Sequence, residues 1–538
     1  MFSTPGPSSV DSTSWSETPP LHNNDAGPSN LPPTHFLSQP RPEAEAGPPE
    51  GVVDTTTLAA HDFDVDPRTG FMPPQPPLAR LPCEWEAWEV ALDDAISQKL
   101  CLGSTPDLDE ASRNLSERWR EGVRKISILP TSELKASEVM LRRAHLVLAW
   151  LMHFYINTLP PASSIVIPKP ISIPLLQVSS WLALPPLLTY SDDVLYNWRY
   201  LKPPHPLSTG PFPTPAPDNL ACVTTFTSTP SESHFYLTSA RIELHGVRAL
   251  ALMKATMDEA FVRDALALRR IAAYLHALAR LVGGVLTDEL LRMREGCAPD
   301  VFYHQIRPWF KGEDSMPGAR RWVFEGVGDE AVVRAHGECM RAPPKDLSGP
   351  SAGQSALVHA LNIFLGVNVY AAHARGKSGE GGDGSVSGSG EGVSAGGGGE
   401  MSAGDLMIRM QRYMPRHHRA FLRHLSANPR PLRALVQEES SNMDLVEAYN
   451  AAVTALKTFR DAHIRIVTLY IVGPSRRVDA GRKVDAAAAA VGKGHASLSK
   501  GKIISTEEDQ EKGTGGTKFI TFLKNVRDVT ANSVVSQG

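Results

Sequence analysis

Leucines and alanines recur at three- and four-residue spacings from Phe235 to Met257 and again from Phe261 to Met293, with no proline in either run. That period gathers the apolar side chains on one side of a helix. Asp444 to Ile471 carries the same pattern without a break. Ser351-Ala352-Gly353-Gln354 reads as a capping box, ahead of a stripe of Leu357, Leu361 and Phe364. Asp405 to Arg412 predicts a further helix, ended or kinked near Pro415. Thr517 is placed to cap a last helix with Phe519, Phe522, Leu523 and Val526 inward. Residues 159–220 break the rhythm. They are proline-rich with short β-branched runs such as Ile165-Val166-Ile167, and read as extended connections and a domain boundary. With no internal repeat and few alternating runs, the pattern predicts an all-α protein with minor strands.

Composition adds limits. The chain has 538 residues, room for two to four domains. Three segments are too poor in large apolar residues to join a core: residues 1–70, read as a disordered N-terminal extension rich in Pro, Ser, Thr and Gly; a Gly/Ser-rich insert at 375–403; and a flexible loop at 474–512. Lys and Arg number 54 against 58 Asp and Glu, a formal net charge of −4. That balance argues against nucleic acid as a partner. Cys83, Cys101, Cys222, Cys297 and Cys339 are scattered and odd in number, which fits neither a disulfide framework nor a zinc site. Met1 to Pro20 lacks the basic and apolar regions of a signal peptide, and Ala144 to Ile156, the most apolar stretch, is too short to span a bilayer. The expectation is a soluble cytoplasmic protein with no membrane partner.

Three constellations can carry chemistry. Ala452, Leu456, Phe459, His463, Ile466 and Tyr470 follow one another at helical steps, so His463 sits on the apolar stripe with Arg460 one turn earlier. Such an imidazole can ligate a metal. It can equally be a core histidine bonded to a neighbouring helix, and the pattern leaves both open. Phe302, Tyr303 and Arg307 place two aromatics and a guanidinium about one turn apart, which suits a ligand with a ring and a carboxylate, or a core pair with a surface arginine. Gly513-Thr514-Gly515-Gly516-Thr517 offers backbone N–H groups before a helix, as an anion loop or a plain linker, but it is no Walker motif. His417-His418 has no carboxylate or cysteine at metal spacing and reads as solvated or structural.

Several motifs, in order, change these odds. They are Leu184-Pro185-Pro186-x-Leu188-x-Tyr190-x-Asp192 with Asn197-Trp198; Gly349-x-Ser351-Ala352-Gly353-Gln354-Ser355; and Arg412-Tyr413-Met414-Pro415-x-x-His418-Arg419-x-Phe421-Leu422. Ala462-His463-Ile464-x-Ile466-Val467-Thr468-x-Tyr470-Ile471 follows, then the 513–517 glycine cluster with Phe522-Leu523-Lys524-x-Val526-Arg527. Together they resemble the indoleamine 2,3-dioxygenase family over roughly residues 70–538 outside the two inserts. The resemblance implies a two-domain haem dioxygenase fold, with a small N-terminal domain and linker (71–220) packed on a large all-α haem-binding domain (221–538).

By the same resemblance, haem b is the cofactor and His463 is the ligand of its iron. Arg460 partners a propionate, while Ser351, Ala352, Gly353 and Val467 complete the cofactor site. Tyr190, Phe235 and Phe302 wall the indole pocket with Ser351 nearby, Ser239 is the distal serine, and Arg307 clamps the substrate carboxylate. Thr514 sits on the loop that closes over the amino acid. Arg307, Phe302, Ser239 and Thr514 are the residues expected to serve catalysis.

The implied reaction inserts O₂ across the indole C2–C3 bond of L-tryptophan or a related indoleamine to give N-formylkynurenine, the first step of the kynurenine pathway. It needs a reductant that keeps the haem ferrous, and a monomer is implied. The alternative is a non-catalytic O₂-binding or haem-sensing protein on the same fold, which has no use for Arg307 or Thr514. Three positions depart from the family pattern. Tyr303 stands in place of a second phenylalanine, Pro350 in place of a glycine, and Asn362 in place of an acid expected to pair with Arg460.

Overall fold

Residues 63–204, 213–315, 320–367, 403–477 and 519–536 are described in a computed structural model. Its longer helices are α1 (Glu86–Ser97), α2 (Glu110–Lys125), α3 (Glu138–Asn157), α4 (Lys169–Leu182), α5 (Pro230–Val262), α6 (Ala265–Arg280) and α7 (Glu330–His336). They continue with α8 (Ala356–Phe364), α9 (Ala403–Gln411), α10 (Arg416–Ser426), α11 (Leu432–Glu438), α12 (Met443–Val467) and α13 (Phe519–Ala531). The strands are three residues each and form two pairs: β1 (Ile165–Ile167) parallel to β4 (Trp322–Phe324), and β2 (Trp198–Tyr200) antiparallel to β3 (Leu220–Cys222). The fold is all-α with minor strands.

α3 anchors the N-terminal part. It is apolar around its whole circumference and is buried from Leu141 to Ile156. Three of its polar side chains reach other elements. Arg143 meets Glu89 of α1 at 2.6 Å, His145 meets Asp192 at 2.8 Å, and His153 bonds the Trp309 carbonyl at 2.7 Å. A buried polar group without a partner is costly, so these bonds fix which surfaces meet α3.

The helical runs of the second half appear where the periodicity puts them. α5 starts at Thr229, whose side chain accepts from the Glu232 N–H, and ends at Arg263 in the left-handed conformation. Asp264 then caps α6 by accepting from the Ala267 N–H at 2.7 Å. α12 packs along α6 and α13 and passes into a wide π-type turn at Thr468–Val472.

Several sequence expectations need correction. The proline-rich stretch 159–220 is not uniformly extended, because residues 169–182 form α4. Pro170 lies in its first turn, where no N–H is needed, while Pro174 is accepted inside the helix. Ser351 caps only a short 3₁₀ turn, Ala352–Gln354, and Ser355 is the N-cap of α8. Residues 63–70, assigned to the extension, pack on the fold: Asp66 and Gly70 pair, and Phe63 meets Phe421 edge-on at 5.9 Å. The remainder of residues 1–70 and the 375–402 part of the insert lie outside the described residues, as do residues 478–512 and Thr517.

Two outcomes follow from this packing. Burial holds the His153, His359 and His418 imidazoles down at about 4, so all three are neutral in the fold and take up protons on unfolding. Stability is therefore present above the usual histidine range and is lost as pH falls from about 6.5 towards 4, by roughly 3 kcal/mol for each histidine. Thermal unfolding across that window checks this, and His153→Gln should flatten part of the slope. A Cβ at Gly246 of α5 would fall inside the Leu357 side chain of α8. Gly246→Ala should therefore cost about 1–3 kcal/mol in denaturant unfolding through overpacking.

Candidate functional site

The site is built around the inner face of α12. Arg460 and His463 lie one turn apart, followed by Val467 and Tyr470. His463 is half-buried and makes no hydrogen bond among the described residues, and desolvation lowers its imidazole to about 4. It is thus a neutral imidazole with no internal acceptor or donor assigned to it, which differs from a core histidine tied to a neighbouring helix. Arg460 is buried, donating to the Val526 carbonyl of α13 at 3.1 Å and to the Asn362 side-chain oxygen of α8. Asn362 therefore keeps the link that an acid would have made, as a hydrogen bond from the charged guanidinium to a neutral amide oxygen.

From α8 the chain of contacts continues. His359 bonds the Gly353 carbonyl through Nε2 at 2.9 Å, and Gln411 of α9 meets its Nδ1 at 3.3 Å. Ser351 turns its hydroxyl inward to accept from the Gly353 N–H at 3.2 Å. Gln354 accepts from the Tyr190 N–H at 2.9 Å and donates to the Gly349 carbonyl, so its side chain ties two loops and does not complete a capping box. Ser355 donates to Glu243 of α5 at 2.6 Å, and the Tyr190 hydroxyl donates to the same carboxyl oxygen at 3.0 Å. Burial pushes the Glu243 carboxyl up to about 7 against the pull of those two bonds, and it raises the Tyr190 phenol as well.

Along α5, Ser239 lies one turn before Glu243 and one turn after Phe235, and both Ser239 and Phe235 are half-buried. The Phe235 ring packs on Phe302 with centroids 4.9 Å apart, and Phe302 meets Tyr470 edge-on at 5.7 Å. The contacts close into a circuit: α12 to α8 through Arg460–Asn362, α8 to α5 through Ser355–Glu243, α5 to Phe302, and Phe302 back to Tyr470 beyond His463.

Phe302 and Arg307 belong to consecutive turns, π-type at Phe302–Ile306 and 3₁₀ at Arg307–Phe310. This differs from one α-helical turn. Phe302 points into the ring cluster, whereas Arg307 is buried with its guanidinium over the Tyr303 ring at 5.4 Å. Tyr303 thus presents its ring to the arginine. Thr514 lies outside the described residues.

The circuit joins the segments bearing His463, Arg460, Val467, Ser351, Ala352, Gly353, Ser239, Tyr190, Phe235 and Phe302. Sequence reading missed Glu243, Gln354, Ser355 and His359 as the groups that tie them. The available signal was an acid, Glu243, one turn beyond Ser239 on the same side of the helical run.

These residues fit a haem group. A neutral imidazole, a buried cation one turn away and an apolar aromatic wall are the side chains that hold an iron porphyrin with its propionate. Among the described residues no three His, Cys, Asp or Glu side chains gather as a metal cluster, and no helix is long and apolar enough to cross a membrane.

Comparison with known proteins agrees with this architecture. The profile of the family described as indoleamine 2,3-dioxygenase matches residues 59–533. The chain is 28% identical to indoleamine 2,3-dioxygenase 1 of Rattus norvegicus over 499 residues, 92% of this chain and 99% of the rat protein. It is 31% identical to indoleamine 2,3-dioxygenase of Saccharomyces cerevisiae over 481 residues, 87% of this chain and 92% of the yeast protein. It is 29% identical to indoleamine 2,3-dioxygenase 2 of Homo sapiens over 486 residues, 89% and 96% of the two chains. With the match running through every segment of the site circuit, the chain belongs to the indoleamine 2,3-dioxygenase family, a family of oxidoreductases.

Proposed function

We propose that the protein is a haem b-dependent dioxygenase that opens the indole ring of L-tryptophan, inserting both atoms of O₂ across the C2–C3 bond to give N-formylkynurenine. The observation that carries this reading is the circuit that links the helix bearing a neutral His463 to the Phe235–Phe302 wall through Tyr470. Ferrous haem, when bound, supplies the O₂-binding centre.

The protein's own residues do the rest. His463 would hold the haem iron through one imidazole nitrogen, and Arg460, Val467, Ser351, Ala352 and Gly353 would complete the cofactor site. Phe235 and Phe302 hold the flat indole by apolar contact, Tyr190 closes that wall, and Ser239 borders it. Arg307 pairs with the amino-acid carboxylate, and its stacking on Tyr303 fixes the direction of the fork. Such a reaction depends on placing an electron-rich ring against O₂ more than on an acid or base, and water-poor aromatic walls favour that placement. L-Tryptophan and O₂ are the small-molecule partners, with an electron donor to maintain the ferrous state.

The test is turnover of L-tryptophan by the haem-loaded, reduced protein. N-formylkynurenine should form in the wild type, and an oxygenated protein indifferent to tryptophan would move the assignment to an O₂ carrier or sensor. His463→Ala should lose haem retention on gel filtration. Arg307→Ala should keep the haem absorption spectrum while kcat/KM falls by roughly thirtyfold or more, chiefly through KM, as expected for about 2 kcal/mol or more from a lost buried charge pair. Normal turnover in Arg307→Ala would remove that residue from the site.

A further inference from the structure

Glu243 is a carboxyl that ties three site-bearing segments together: α5, the Tyr190 segment and the start of α8. It projects from α5 one turn beyond Ser239, and its Oε1 receives the hydroxyls of Tyr190 and Ser355 at 3.0 and 2.6 Å. It is 2% exposed, and its second oxygen, Oε2, is buried without a hydrogen-bond partner among the described residues. The phenol of Tyr190 and the hydroxyl of Ser355 are the groups that face it. Gly70, from the first described segment, packs against the Glu243 backbone carbonyl and brings no side chain, while Asp193 acts on the Tyr190 phenol.

We propose that Glu243 is a proton-gated positioning residue: as a neutral acid it holds Tyr190 and the Ser351–Ser355 loop against the Ser239 face of α5, and on ionising it admits water and loosens both. The argument is the cost of a dry carboxylate. Two hydroxyl donors on Oε1 favour the charged form, but the bare Oε2 and the burial oppose it more strongly, and the carboxyl sits at about 7. In an opened state, with water on Oε2, the same carboxyl returns to the ordinary range near 4.5. The closed arrangement therefore binds the proton more tightly than the open one. By linkage, closure is strongest at low pH and weakens as pH rises through 7. Between pH 6 and pH 8 the closed-to-open ratio should fall about tenfold.

Glu243→Gln separates this role from a merely structural one, since the amide is neutral at every pH, nearly isosteric with the acid, and still accepts both hydroxyls through its carbonyl oxygen. The experiment is hydrogen exchange of the haem-loaded full chain at pH 6 and pH 8. It follows the amides of residues 190–196 and 351–355, expressed as protection relative to intrinsic exchange. The wild type should lose about tenfold in protection between the two values. Glu243→Gln should lose none and should unfold at a higher temperature than the wild type at pH 8. If Glu243→Gln does not fold, Tyr190→Phe serves. Removing one donor raises the carboxyl further, so the wild-type step should move to higher pH. Coincident pH profiles for wild type and variant would overturn the proposal.

The consequence for catalysis rests on the tryptophan-cleaving reading. KM for L-tryptophan should rise as pH climbs from 6 through 7 in the wild type, level off above that, and stay level throughout in Glu243→Gln. Absence of tryptophan turnover would refute that reading and leave the exchange step standing. Turnover without an exchange step would do the reverse.

Discussion

The constraint on which the rest depends is the burial of α12 together with the cation and imidazole on its inner face. On the buried face of a helix packed along α6 and α13, Arg460 cannot be left unpaired, so the guanidinium takes the Asn362 side-chain oxygen of α8 and the Val526 carbonyl. Those bonds fix α8 and α13 against α12. α8 in turn presents Ser355 to Glu243 and His359 to Gly353. The loop that carries Ser351 is thus placed by two side chains of the helix that follows it, and its own sequence adds the Ser351 turn and the Gln354 tie to Tyr190 and Gly349.

The N-terminal part contributes through aromatic packing. Trp150 of α3 stacks on Phe226 at 4.0 Å, and Phe226 stacks on Trp309 at 5.1 Å. Phe310 carries the run to Phe235 at 5.9 Å, and Phe235 carries it to Phe302. The wall proposed to receive the indole is the end of a ladder of rings that begins in the most deeply buried helix. Rings packed in this way are stiff, and a wall that keeps its shape without ligand spends little binding energy on ordering itself.

Much of this was legible in the chain. The long helices follow directly from apolar spacing, and the Asp444–Ile471 pattern located both Arg460 and His463 on the inner stripe. α4 was hidden because proline content outweighs periodicity in a local reading, yet a proline in the first turn costs nothing and the α3 surface repays the one inside. The Ser351–Gln354 signature misled for a different reason. Gln354 finds a better partner in the Tyr190 N–H, 164 residues away in the chain. Glu243 was invisible as a tie because its partners are 53 and 112 residues distant, and no local pattern encodes such a meeting. Asn362 shows the limit of arguing from a substitution alone: the loss of a charge did not remove the bond to Arg460.

The central claim is that one enclosure, assembled around His463, oxygenates an indole with both atoms of a single O₂. The measurement that tests it most directly is mass spectrometry of the product made under ¹⁸O₂ by the reduced, haem-loaded protein from L-tryptophan. Two labelled oxygens in N-formylkynurenine, with one tryptophan consumed per O₂, is the predicted result. A product carrying one label, or oxygen consumed with tryptophan left intact, would contradict it.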